Sequence, residues 1–125
     1  MASWTERILG MAMLGCAAGC TGNGSLDDSG DLPAECADSP WTWQNTGEPF
    51  ARTWCTSCHH SDLGAGARQG APLDVNLETY SAFMAWADRT EARVWSDSSP
   101  MPPVGIPPEG DLLALEEWLA CGAPE

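Results

Sequence analysis

The residues with the most chemistry in this chain stand together at Cys55-Thr56-Ser57-Cys58-His59. Two thiols separated by two residues and followed at once by an imidazole match the C-x-x-C-H pattern of covalent haem attachment. On a tight helical turn the two sulfurs can reach the two vinyl groups of one porphyrin and form thioethers. The next side chain then projects toward the iron as its proximal ligand, here His59. Three other chemistries use the same residue types. A redox dithiol would follow a strand at the head of a helix, within alternating strands and helices, and no such strands are legible. A zinc site needs four ligands, whereas the only other histidine is His60 and neither Cys36 nor Cys121 has metal-ligand spacing. A plain structural disulfide with no cofactor is the third.

An iron held by His59 takes its second axial ligand from elsewhere in the chain. His60 is adjacent to His59, cannot reach the opposite face of a porphyrin, and reads as an exposed polar residue. Beyond residue 20 the methionines are Met84 and Met101. Leu77, Tyr80, Met84, Ala87 and Val94 recur at helical spacing, which puts Met84 in an apolar helix face. Met101 lies 42 residues after His59, between Pro100 and Pro102-Pro103. Prolines on both sides fix the backbone and hold a thioether in place without a helix, so Met101 is the expected distal ligand.

The elements that position these groups occupy a short, acidic chain of 125 residues. Eighteen Asp plus Glu against five Arg and no Lys give a net charge of -13, which argues against nucleic acid as a partner. The length allows one domain and excludes an enzyme with separate substrate and cofactor domains. Residues 8–18 form an apolar run too short to span a bilayer but suited to a secretory signal. Ala17-Ala18-Gly19 before Cys20 resembles a bacterial lipobox, in which the cysteine is lipidated. Cys16 is a second candidate, and cleavage without lipidation is the alternative. The expected organisation is an export signal over 1–20, a Gly/Ser/Asp tether over 21–35 and a folded module over 36–125. The module would sit on the periplasmic side of a bacterial membrane, in contact with lipid only through its anchor.

Together, CTSCH, the Pro72 segment, Met101-Pro102-Pro103 and the apolar stripe before the C-terminus resemble the class I cytochromes c, small monohaem electron carriers. The resemblance implies an all-α fold, with three main helices and long loops wrapped around one covalent haem c. Gly47, Phe50 and Trp54 would lie on an N-terminal helix that crosses a C-terminal helix through Leu112, Leu115, Trp118 and Leu119. The helices are expected from about Thr46 to Cys58, from about Glu78 to Val94 behind an Asn76 cap, and from Pro108-Glu109 to just before Gly122. Gly70-Ala71-Pro72-Leu73 resembles the family's proline segment, whose backbone carbonyl accepts the hydrogen bond from the proximal imidazole. Arg93 and Trp95 precede Met101 and are candidates to hydrogen-bond a haem propionate.

With Cys55 and Cys58 on haem, Cys16 removed and Cys20 lipidated, Cys36 and Cys121 are left to pair. That assignment depends on the haem. The chain departs from the family's mitochondrial type in having no lysine ring. Its carboxylates instead favour redox partners with a basic docking patch.

The leading reading is thus an electron carrier with His59 and Met101 on the iron and no enzymatic activity. The alternatives are a haem-based ligand-binding, sensing or peroxidase-like module whose sixth position opens, and a haem-free, disulfide-bonded lipoprotein that serves as an interaction module.

Overall fold

The computed structural model describes residues 32–125. The expected export signal, Cys16, Cys20 and the first part of the tether lie outside the described residues. The described residues belong to one compact unit, Asp31–Glu125. Its first element is a 3-10 turn over Ala34–Asp38.

Among the described residues every regular element is helical, as expected of an all-α fold. A π-helical turn over Trp43–Gly47 leads into α1, Glu48–Trp54. Asn45 starts it by accepting the Thr42 N–H on Oδ1 at 2.8 Å. Pro49 sits in the first turn of α1, where a missing N–H leaves no bond unmade. The α-helix stops at Trp54, four residues before the expected Cys58, because Cys55 turns to φ -118. Cys55–Cys58 form tight turns instead, with the N–H groups of Cys58 and His59 both donating to the Cys55 carbonyl.

The expected middle helix is two helices, α2 over Tyr80–Ala85 and α3 over Ala87–Val94. Trp86, at φ -121 and ψ 12, leaves the helical path between them. The cap of α2 is Thr79, whose Oγ1 accepts the Ala82 N–H at 3.2 Å. Asn76 does not cap, because its side-chain oxygen is held by Arg68. The last helix, α4, spans Glu109–Ala120 as expected, with Glu109 and Asp111 in its positive first turn. It ends in a Schellman motif: Gly122 has φ +81, its N–H donates to the Leu119 carbonyl, and the Ala123 N–H donates to that of Trp118.

The π-helical turn ahead of α1, rather than α1 itself, packs against α4, and this contact lies in the core. Trp43, Phe83 and Trp118 pack with ring centroids 5.6 to 6.0 Å apart, beside the buried Phe50 and Leu115. Met84 packs against this cluster, as its helical spacing implied. Gly47 makes the close approach possible. A Cβ there would overlap the Trp43 ring and stand 2.8 Å from Trp118 Cη2. Overpacking of this kind costs ~1–3 kcal/mol and outweighs the ~1 kcal/mol that alanine gains over glycine in helix propensity. Gly47→Ala should therefore lower stability in chemical denaturation, and a stability equal to or above that of the parent would contradict this packing.

Cys36 and Cys121 are disulfide-bonded, with Cα atoms 5.3 Å apart across 85 residues of sequence. The bond ties the N-terminal turn to the end of α4. The tail beyond it is also held. The Pro124 carbonyl accepts the Trp43 N–H and the Trp118 indole N–H, each at 2.9 Å, and the Tyr80 hydroxyl donates to the Ala123 carbonyl at 3.0 Å.

Candidate functional site

Four stretches of chain enclose one cavity of about 430 Å³: the end of α1 with the C-x-x-C-H turn, the segment from Arg68 to Leu77, α3, and the Pro-rich loop at Met101–Val104. That volume lies within the ~300–1,000 Å³ usual for small-molecule and cofactor sites. Cys55, Cys58, His59, Pro72, Arg93 and Met101 all line it. Trp95 does not: it is 39% exposed, and the cavity's indoles come from Trp54 and Trp86 instead. His60 also lies off the lining, with its Nδ1 accepting the Asp62 N–H at 3.1 Å.

The thiols of Cys55 and Cys58 are free. Desolvation pushes the Cys55 thiol up to about 12, so it stays protonated at neutral pH. A redox dithiol depends on the opposite shift, toward a stabilised thiolate.

His59 is oriented by its backbone neighbours. Its Nδ1 lies 3.1 Å from the Val75 carbonyl oxygen. A carbonyl has no proton to give, so Nδ1 is the donor and Nε2 is the ring nitrogen left out of this bond. The expectation that Gly70–Leu73 supplies this carbonyl is corrected, since the acceptor is Val75, 16 residues after His59. The reason is a turn in which the Val75 N–H donates to the Pro72 carbonyl, occupying Pro72 and swinging the Val75 carbonyl to the imidazole. Pro72 keeps a place on the cavity wall. A second bond, from the Leu77 N–H to the His59 carbonyl at 3.0 Å, fixes the same pairing of segments.

Met101 is half-buried and anchored through its main chain, its N–H donating to the Arg93 carbonyl at 3.0 Å. The end of α3 therefore holds the Pro-rich loop beside the cavity. At the other end, the Trp54 indole N–H donates to Asp111 Oδ2 at 3.2 Å and joins α1 to the start of α4.

The charge on the lining is the reverse of the charge on the chain. Arg68, Arg89 and Arg93 contribute to it, and no Asp or Glu does. Arg68 is the extreme case at 1% exposed. Its Nη1 donates to the Leu73 carbonyl at 3.2 Å, and its Nη2 donates to the Val75 carbonyl and to Asn76 Oδ1, each at 2.7 Å. Its Nε is buried without a partner. Among the described residues the arginine that pairs with a carboxylate is Arg52, with Glu48 at 3.6 Å, and no carboxylate pairs with Arg68. A buried cation with an unmade hydrogen bond is costly unless an anion answers it.

Sequence reasoning did not find Arg68, Arg89 or Val75. Arg89 had a usable signal, its i,i+4 spacing from Arg93. Arg68 sits in GAGARQG, which has no periodicity to mark it as buried.

Among the described residues, no group of three or more His, Cys, Asp or Glu side chains is placed to hold a metal ion by itself. No helix among them is long and apolar enough to cross a membrane. Comparison of the chain with protein-family models, curated proteins and solved structures returns no match in any of the three.

Proposed function

We propose that this chain is a monohaem c-type cytochrome, an electron carrier exported and lipid-tethered through Cys20. The observation that carries the reading is the convergence of Cys55, Cys58, His59 and Met101 on one cavity, with Nδ1 of His59 already engaged by a backbone carbonyl. The rest of the lining fits the same group. Phe50, Trp54, Leu77, Trp86 and Val94 offer apolar surface to a flat macrocycle. The buried Arg68 with its orphaned N–H, and the nearby Arg89 and Arg93, suit a ligand that carries carboxylates, as a porphyrin with two propionates does.

In this reading Cys55 and Cys58 would hold the haem as thioethers, and His59 Nε2 and the Met101 thioether would ligate its iron. When bound, the haem would supply a one-electron ferric–ferrous couple. The chain's part would be to keep both protein ligands in place and to exclude water. The soft Met101 sulfur favours the ferrous state relative to a second nitrogen ligand. Among the cavity-lining residues His59 is the one histidine, and this supports a carrier over a peroxidase-like site with a distal base.

The net charge of -13 supports redox partners with a basic docking patch and association that weakens with salt. The carboxylates that would meet such a patch lie off the cavity lining. A lipid anchor at the periplasmic face of a bacterial membrane would raise the carrier's effective concentration at a partner anchored beside it.

The axial assignment is tested on ferric holoprotein. The near-infrared band of sulfur-to-iron ligation should be present in the parent and absent in Met101→Ala, and the ferrous variant should take up carbon monoxide rapidly. Rapid carbon monoxide binding by the ferrous parent would instead mark a ligand-binding or sensing module.

A further inference from the structure

The Val75 carbonyl has two donors, and one of them is charged. His59 Nδ1 reaches it at 3.1 Å and Arg68 Nη2 at 2.7 Å. The shorter contact lies in the range of charge-assisted hydrogen bonds, and the longer one is an ordinary neutral bond. From these distances we infer that Arg68 sets the electron-donating strength of His59 by competing for the one carbonyl that orients it. The inference rests on the haem reading of the cavity and adds to it a positioning residue that acts through Val75.

The physical chain is short. A metal-bound histidine becomes a stronger donor when its other ring N–H is pulled by a good acceptor. A guanidinium on the same oxygen withdraws electron density from it, which weakens its pull on the Nδ1 proton and leaves the imidazole a poorer donor. The ferric state, which needs the donor most, is then less stabilised, and the ferrous state is favoured. At 1% exposed, Arg68 is shielded from solvent, so its hydrogen bond to the Val75 carbonyl is screened little. Asn76 Oδ1, bonded to the same Nη2 at 2.7 Å, and the Leu73 carbonyl keep the guanidinium in place.

The test is a redox titration of haem-loaded Arg68→Met and Asn76→Asp, with the near-infrared band as a check that the axial ligands are intact. Arg68→Met removes the charge. Asn76→Asp, nearly isosteric, leaves the buried side chain but pairs its charge. Arg68→Met should move the ferric–ferrous equilibrium about tenfold toward ferric, a midpoint lower by ~59 mV for one electron. Asn76→Asp should move it the same way by a smaller factor, and Arg68→Lys should restore part of the parent value. In the diamagnetic ferrous protein, the His59 Nδ1 proton should shift downfield in Arg68→Met as its bond to Val75 strengthens. A merely structural arginine would lower stability and move neither readout. Haem-bearing variants with the parent potential and the parent ring-proton shift overturn the proposal while leaving the cytochrome reading intact. If Arg68→Met fails to fold, Asn76→Asp decides. A parent protein that binds no haem overturns both.

Discussion

Cys55→Ser/Cys58→Ser, made in a host that attaches haem to exported chains, should yield a protein without covalent haem and with a far less stable fold. The cavity is the reason. At ~24 cal/mol per Å³, leaving 430 Å³ unfilled costs up to about 10 kcal/mol if the void stays dry. That compares with the ~5–15 kcal/mol total stability of an ordinary domain. Water entering from the open side reduces this figure. Arg68 would also lose the anion that its position calls for. In thermal unfolding followed by circular dichroism, the double variant should show a broad transition, or one more than ~20 °C below the holoprotein, since 1 kcal/mol shifts Tm by ~4–8 °C in a domain of this size. A sharp transition at the holoprotein's Tm would show that the helices hold themselves together without the porphyrin.

The second large effect is at the opposite end of the unit. Cys36→Ser/Cys121→Ser opens a loop closed across 85 residues. The chain-entropy model puts the loss at about 4.5 kcal/mol, or a fall in Tm of roughly 20 °C or more. Neither cysteine lines the cavity, so the absorption spectrum and axial ligation of the haem-loaded variant should be unchanged at low temperature. A Tm within a few degrees of the parent would mean that the clasp formed by Trp43, Tyr80 and Trp118 on the Ala123 and Pro124 carbonyls already fixes this end.

The parts of the structure legible in the sequence were those governed by local periodicity or by residue types with few uses. The α4 stripe, the close packing at Gly47 and the Met84 face follow from spacing that repeats every three or four residues, and the structure packs them together. The Cys36–Cys121 bond follows from counting thiols once Cys55 and Cys58 are expected on haem, Cys16 in the signal and Cys20 on lipid. What escaped was set by tertiary contact. The break at Trp86 carries no proline or glycine to announce it. Asn76 reads as a helix cap until Arg68, eight residues earlier, takes its oxygen. The Val75 carbonyl is a main-chain group in a turn, and no side-chain pattern marks which carbonyl of the segment will face His59. Trp95 and Trp86 are equivalent by composition, and it is Trp86 that lines the cavity.

The most direct test is the intact mass of the mature protein, purified from a host with a c-type maturation system, together with its pyridine haemochrome spectrum. The account predicts a red protein whose mass exceeds that of the disulfide-bonded chain by one haem, with the spectrum of a porphyrin joined through two thioethers and no thiol free at Cys55 or Cys58. A colourless protein of the bare polypeptide mass, with both thiols open to alkylation after unfolding, would contradict it.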